Sequence, residues 1–153
     1  MHDREFPESR SVELAAELLD VTSRAELEGF LGSVVAATAR GLGGRLPAGT
    51  GRSLVAVLGR TAERTLPTLA TLLGDPLGLG AGPAAAETAA RVYGLELEGM
   101  SAEDREYEIA RQFLRFAQSA TARAATTSAS PAAAVAGAAR QFAPGLGSEP
   151  IRK

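Results

Sequence analysis

The residue types that most often carry out catalysis are scarce in this sequence. It contains no cysteine and a single histidine, His2, which lies next to the start of the chain. The lack of cysteine excludes thiolate catalysis, disulfides and cysteine-based zinc or iron–sulfur sites. One histidine in a segment that is expected to fray provides neither a Ser–His pair nor a cluster of imidazole ligands. We therefore predict that the chain is not an enzyme and that it uses no metal and no other cofactor.

The densest group of possible metal ligands is acidic. Its members are Glu96, Glu98, Glu103, Asp104, Glu106 and Glu108. A calcium site needs oxygen ligands that converge from a turn with a suitably placed glycine. Most of these acids fall instead at the start of a predicted helix, where they stabilise the helix dipole. Arg111 and Arg115 share a helix face with Asp104 and Glu108, which predicts intrahelical ion pairs and not an anion site.

The segment LPAGTGRS, residues 46–53, is superficially similar to a phosphate-binding P-loop. Leu46 occupies the position of the first glycine, and Arg52 replaces the lysine. No strand pattern precedes the segment, so the backbone amides that would cradle a phosphate have no framework. We predict a flexible turn before a helix that is capped near Ser53.

Glycine also recurs at every fourth position in Gly74, Gly78 and Gly82, as in membrane helices that pack closely. Pro76 and Pro83 interrupt that pattern. No uncharged apolar run approaches the roughly 18 residues that a membrane span requires. The segment MHDREFPESR is acidic and lacks the apolar core of a classical secretory signal. A cytoplasmic location is the default prediction, with export by a signal-less route left open.

Helical periodicity runs through nearly the whole sequence. A capping box of Ser23 and Glu26 should open a helix, and Gly41, Gly43 and Gly44 should end it. Its inward face is predicted to carry Leu27, Phe30, Leu31, Val34 and Val35. The other predicted helices cover 14–21, 53 onwards with a kink at Pro67, 84–93 stopped by Gly94, 101–125 capped by Ser101, and 131–142 opened by Ser130. The alternating segment LELE, residues 95–98, is too short to build a sheet.

These elements predict an all-α fold of five or six short to medium helices in a loosely packed bundle, because alanine and glycine bury little apolar area. Residues 1–10 are predicted to be a flexible N-terminus. Residues 11–125 form the helical domain, with Gly/Pro-rich loops near 41–52 and 74–83. A linker and an Ala-rich helix occupy residues 126–143, and residues 144–153 form a disordered tail.

Charge alternates in blocks along the sequence. Residues 1–30 and 76–110 are acidic on balance, whereas residues 31–75 and 111–153 are basic on balance. Sixteen basic and eighteen acidic residues nearly cancel, so the net charge of −2 does not favour binding to nucleic acid. The blocks are compatible with solvated helix faces, or with acidic segments that face basic ones within the molecule or between copies.

The helix after Ser101 has an unusually wide apolar arc, of about 160° against the roughly 100° that one surface helix needs. The arc predicts that this helix packs against two neighbours, either within the fold or with one on another subunit. Phe113 is expected in the core, and Phe116 at the edge beside Arg105 and Arg123 is expected at an interface. The candidate interaction residues are Tyr107, Ile109, Phe113, Leu114 and Phe116.

Two segments carry a resemblance to other proteins. They are EFPESRSVELAAELLDVTSRAELEGFLG, residues 5–32, and GLELEGMSAEDREYEIARQFLRFA, residues 94–117, on either side of a Gly/Ala-rich middle. Both resemble segments of a group of uncharacterised bacterial proteins, and together they cover about a third of the chain. The resemblance implies a shared helical architecture and no particular activity. Pro67, Pro76 and Pro83 depart from the pattern in the middle.

The function predicted from the sequence is that of a non-enzymatic structural or interaction protein. It would self-associate or dock on a larger bacterial assembly through helix faces, and its partner would be a second copy or another protein. The alternative is a membrane-active or secreted effector whose Gly/Ala-rich middle inserts into a bilayer. Membrane contact would favour the alternative, whereas an oligomer held by helix faces would favour the first interpretation.

Overall fold

A computed structural model of the chain describes residues 8–43, 46–66, 81–127 and 130–145. These residues form six α-helices and no β-strand. The helices are α1 Glu8–Leu19, α2 Arg24–Gly41, α3 Ala48–Thr65, α4 Ala81–Tyr93, α5 Ala102–Thr127 and α6 Pro131–Phe142. The all-α fold predicted from the sequence is confirmed.

Three helices begin with the serine caps that the sequence predicts. The hydroxyl oxygens of Ser23, Ser101 and Ser130 each accept a hydrogen bond of 3.1 Å from a backbone amide three residues later. Each bond satisfies an amide that has no partner within its helix. At α2 the returning carboxylate of Glu26 accepts from the amide of Thr22 at 2.9 Å, one residue before the cap.

Several helix bounds differ from the prediction. The helix α1 begins at Glu8, inside the segment predicted to be flexible, and α5 continues to Thr127, inside the predicted linker. The helix α3 begins at Ala48, five residues before the predicted cap, and α4 begins at Ala81 instead of residue 84. Glycine costs a helix only about 1 kcal/mol per residue. Packing of the later turns of α3 outweighs this cost, so the helix includes Gly49 and Gly51.

The Gly/Pro-rich segment predicted as a loop over 74–83 is only partly described. Pro67, Gly74, Pro76 and Gly78 lie outside the described residues, so the predicted kink and most of the loop do too. Pro83 belongs to the first turn of α4, where a missing amide leaves no hydrogen bond unmade. Among the helices that the structure describes, none combines the length and the hydropathy that crossing a membrane requires.

The C-terminal end of α4 is a built junction and not a simple stop. Gly94 has φ +70° and ends the helix as predicted, while the amide of Leu95 donates to the carbonyl of Ala90 at 3.0 Å. This hydrogen bond is typical of a helix C-terminus at which a glycine adopts the left-handed (αL) conformation. The side chain of Pro144 packs beside Gly94, and Gly145 is buried against the last turn of α4. The chain at 144–145 is therefore packed, which corrects the prediction of a disordered tail from residue 144.

The helix α5 is the centre of the fold. It contacts α1, α2, α3, α4 and α6, which are all the other helices of the described residues. Its buried side chains are Ile109, Ala110, Phe113, Leu114, Phe116, Ala117, Ala120, Thr121 and Ala124. The wide apolar arc predicted from the sequence is thus covered within one chain, by more neighbours than the two that we expected.

The helix pair with the most extensive contact among the described residues is α5 with α6, and small side chains are buried between them. Ala120 and Ala124 on α5 and Ala134 and Ala138 on α6 are all buried. Alanine at such positions lets two helix backbones approach closely. A Cβ atom at Gly137 of α6 would lie only 3.2 Å from Cδ of the Arg123 side chain, which crosses α6 at that glycine.

Candidate interaction surface

The residues predicted to form an interaction surface lie mainly in the core. Ile109, Phe113 and Phe116 are 0 % exposed and Leu114 is 4 % exposed. Tyr107 is half-buried, and the Arg111 guanidinium lies over its ring at 5.8 Å from the centroid. The expectation that Phe116 faces a partner is corrected. It packs beside Phe113, with the two ring centroids 6.4 Å apart, because neighbouring helices surround α5 on that side.

A buried polar chain links α3 to α4. The hydroxyls of Thr65 and Tyr93 are 2.9 Å apart, and Thr65 also donates to the carbonyl of Thr61 at 2.7 Å. With that donor used, the Tyr93 hydroxyl must donate to Thr65. Burial raises the pKa of the Tyr93 phenol well above its usual value. The pair ties two helices together and presents no group that could attack a substrate.

Tyr93→Phe is expected to reduce the decrease in the free energy of unfolding at alkaline pH. Tyr93 keeps its proton in the folded chain, whereas the unfolded chain loses it near pH 10. The folded state then binds more protons, so the free energy of unfolding is unaffected below about pH 10 and falls as the pH rises towards the folded pKa. Urea unfolding from about pH 8 to pH 11 measures this slope. The variant should also lose about 1 kcal/mol at pH 8 with the hydrogen bond. Equal alkaline slopes in the two chains would contradict this assignment.

The acidic residues stay dispersed. Glu96 and Glu98 line a shallow surface pocket with Glu87 and Arg105. Glu103 and Asp104 lie in the first turn of α5, where their charges favour the helix dipole. Within the described ranges, no three His, Cys, Asp or Glu side chains come together in a way that could hold a metal ion. The chemistry available to this cluster is capping and surface charge.

The predicted ion pairs on α5 form in part. The Arg111 guanidinium lies 3.4 Å from the carboxylate of Glu108. Arg115 donates to the side-chain oxygen of Gln112 at 3.3 Å, instead of to an acid. These contacts hold side chains along one helix and assemble no anion site.

The segment that is similar to a P-loop does not form one. Residues 48–53 are the first two turns of α3, which continue an αα-hairpin from α2. Pro47 is the residue before the helix, and its carbonyl accepts from the amide of Gly51 at 3.0 Å. The amides of this segment therefore begin to enter the helix ladder, and a helix precedes them where a P-loop has a strand.

An open groove lies between α2 and α3, with a volume of about 1010 Å³. We call it the α2–α3 groove. Its floor is made by small and medium apolar residues, namely Gly32, Val35, Ala36, Ala39, Gly51, Val55 and Ala56. Leu46 and Pro47 close the loop end of the floor. Side chains this small leave room for another backbone to approach both helices.

The charges of the α2–α3 groove are separated by sign. Glu28 lies at one end, and Arg40 and Arg52 line the end near the loop. Glu28 and Arg40 are three turns apart on α2, or about 18 Å at 1.5 Å per residue. None of the three forms a salt bridge with another residue in the part of the chain that the structure describes.

A separate ion pair joins α2 to α3 beyond the end of the groove that carries Glu28. Arg24 Nε and Nη2 donate to the two carboxylate oxygens of Glu63 at 2.7 and 3.0 Å. The hydrogen bond and the charge of Glu63 raise the pKa of the Arg24 guanidinium. This two-point contact joins the start of α2 to the C-terminal part of α3 at the surface.

The sequence reasoning identified one face of α2 and missed the other. Leu27, Leu31, Val34 and Val35 are buried and Phe30 is half-buried, as the periodicity predicts. The groove face reads Glu28, Gly32, Ala36 and Arg40 at four-residue intervals. Four-residue spacing places these residues on one ridge of a helix. That spacing was the signal for a second helix face. It was missed because glycine and alanine are characteristic neither of a buried apolar face nor of a solvated polar face.

Comparisons with models of known protein families, with curated protein sequences and with solved structures find no significant match for this chain. The resemblance of residues 5–32 and 94–117 to uncharacterised bacterial proteins stays a prediction.

Proposed function

We propose that this chain is a non-enzymatic interaction protein whose α2–α3 groove binds the apolar face of a helix from another subunit or protein. The observation that carries the proposal is the groove itself, which joins an apolar floor to charged ends of opposite sign. Binding of an amphipathic helix in an apolar groove is a recurring mode of protein recognition, in which residues three and four apart act as anchors.

Three features of the groove and of the adjacent chain favour the binding of a helix. Glycine and alanine lie at its centre, so an incoming helix can pack close to α2 and α3. Val55 and Leu46 are half-buried and offer apolar surface to anchor side chains. Leu42, at 40 % exposure, is the exposed large apolar side chain of the described residues, and it follows the groove residue Arg40 by two positions in the chain.

The burial of the aromatic side chains in the core also supports this proposal. The aromatic side chains predicted to mediate contact are used up within the chain, because Phe113 and Phe116 are fully buried. A surface for partners must therefore lie elsewhere. The α2–α3 groove, at about 1010 Å³, is more than twice the volume of the apolar recess lined by Val57, Val135 and Pro144, at about 430 Å³.

Gly32→Leu is expected to block the groove while leaving the fold intact. A Cβ at Gly32 meets no atom of the described residues within 4 Å, so the new side chain enters the open groove. The substitution also removes a glycine from a helix interior, which favours the helix by up to about 1 kcal/mol. The probe is a fluorescein-labelled helical peptide of Ala, Leu and Gln, with Glu near its first turn and Lys near its last. Its affinity, measured by fluorescence anisotropy, should fall by about tenfold or more in the variant.

Gly49→Leu is the matched control. Gly49 lies on the same hairpin, is exposed, meets nothing within 4 Å of its ideal Cβ, and does not line the groove. The control should bind the peptide as the native chain does. Failure of the native chain to bind the peptide, or equal binding by native chain and Gly32→Leu, would overturn the proposed function.

A further inference from the structure

We infer that the helix bound in the α2–α3 groove is α2 of a second copy of this chain, antiparallel to the first α2 about a two-fold axis midway between Gly32 and Ala36. This inference rests on the proposed function and names its partner. Two-fold pairing uses one surface patch twice, so that surface must be complementary to itself when reversed. The α2–α3 groove meets this requirement in both charge and shape.

The charge pattern fixes the direction. In the antiparallel arrangement Glu28 of each copy faces Arg40 of the other copy, so one register forms both pairs at once. Arg52 lines the same end as Arg40 and adds a second positive charge there. A parallel arrangement would place Glu28 against Glu28 and the arginines against each other, and like charges at an interface are unfavourable.

The shape pattern fixes the register. The midpoint between Glu28 and Arg40 falls at Val34, and the same midpoint pairs Gly32 of each copy with Ala36 of the other. Small residues thus meet small residues at the centre, which allows the two α2 backbones to approach closely. Among the described residues, no atom lies within 4 Å of an ideal Cβ at Gly32, so a second copy can approach this central space.

The charges at issue are also available to a partner. Glu28, Arg40 and Arg52 are all exposed. None of them forms a salt bridge with another described residue. Arg24 forms its salt bridge with Glu63 at 2.7 Å, and the charge of Glu28 acts on the Arg24 guanidinium only through space. Each copy would bring one acidic and one basic end to the contact, and both would be matched.

Exchange of the two charges between copies tests the inference. Glu28→Arg should weaken the dimer by facing Arg40 of the other copy, and Arg40→Glu should weaken it by facing Glu28. Each substitution acts twice in a symmetric dimer, so the dissociation constant should rise by about tenfold in either variant. An equimolar mixture of the two variants forms both pairs in the mixed dimer and should recover native affinity. Sedimentation velocity over a concentration series, with differently labelled variants, measures all three.

Two controls match the changes in net charge. Glu17→Arg alters an exposed acid on α1, and Arg60→Glu alters an exposed base on α3. Neither residue lines the groove, so both variants should dimerise as the native chain does. Circular dichroism melts should show all four variants folded, because every altered side chain is exposed.

The outcomes separate this inference from the proposed function. A chain that stays monomeric to millimolar concentration, yet binds the model peptide through Gly32, would overturn the dimer and keep the helix-binding groove. A dimer that is indifferent to Glu28→Arg, to Arg40→Glu and to their mixture would overturn the inference by placing the contact elsewhere. A mixture that recovers affinity when each variant alone has lost it would support the antiparallel pair.

Discussion

Phe113→Ala and Phe116→Ala are each expected to lower the free energy of unfolding by about 3–5 kcal/mol. Both side chains are 0 % exposed, and both lie on the helix that contacts every other described helix. Removal of either ring takes away its transfer free energy and leaves a cavity that the surrounding helices close only in part. Since a typical domain is stable by about 5–15 kcal/mol, either variant should be close to unfolding at room temperature.

Chemical unfolding followed by circular dichroism measures this loss. The two rings are 6.4 Å apart, so the double variant should lose less than the sum of the single losses, because both remove the same contact. Phe30→Ala is the matched control, since Phe30 is only half-buried and its truncation should cost clearly less. If Phe116→Ala left stability unchanged and lowered only the affinity between copies, its assignment to the core would be wrong.

The parts of the fold that could be predicted from the sequence depend on local chemistry. A serine cap is a local contact, in which the serine hydroxyl accepts from the backbone amide three residues later. Ser23, Ser101 and Ser130 therefore mark helix starts correctly without help from distant residues. Gly94 likewise ends α4 because the left-handed conformation there costs glycine little. The buried face of α2 follows from the spacing of its leucines and valines alone.

The parts that could not be predicted depend on contacts between distant residues. The width of the apolar arc on α5 shows that it needs several neighbours, but a sequence does not say whether they come from the same chain. The structure supplies them all within the chain, which moves Phe116 from a predicted interface to the core. The α2–α3 groove was missed for a related reason. A recess is defined by two helices together, and Gly32 or Ala36 gives no signal on either one alone.

The start of α3 illustrates how packing overrides composition. Residues 48–52 contain Gly49 and Gly51, and such a segment favours a turn on local grounds. Leu54 and Leu58 of the same helix are fully buried. Their burial contributes about 1.5–3 kcal/mol each, which outweighs the helix penalty of two glycines at about 1 kcal/mol apiece. The helix consequently begins at Ala48, and its first turns form one wall of the groove.

Gly145→Ala is expected to detach the chain at 144–145 from α4. A Cβ at this position would overlap the carbonyl oxygen of Arg91 and lie 2.6 Å from Cα of Val92. Both are backbone atoms, which cannot move aside as a flexible side chain can. The chain end must therefore shift, with a loss of about 1–3 kcal/mol of the free energy of unfolding, as for overpacking elsewhere. Thermal unfolding measures the loss, and amide exchange at the last turn of α4 should locate it.

Gly41→Ala provides the contrast, because its Cβ meets nothing within 4 Å and should leave stability the same or raise it. The comparison isolates the contact with α4 from the general effect of replacing a glycine. If Gly145→Ala were as stable as the native chain, with unchanged exchange at Val92, the junction between α4 and the chain at 144–145 would not exist in solution. If stability falls and exchange quickens there alone, the chain at 144–145 is part of the folded domain.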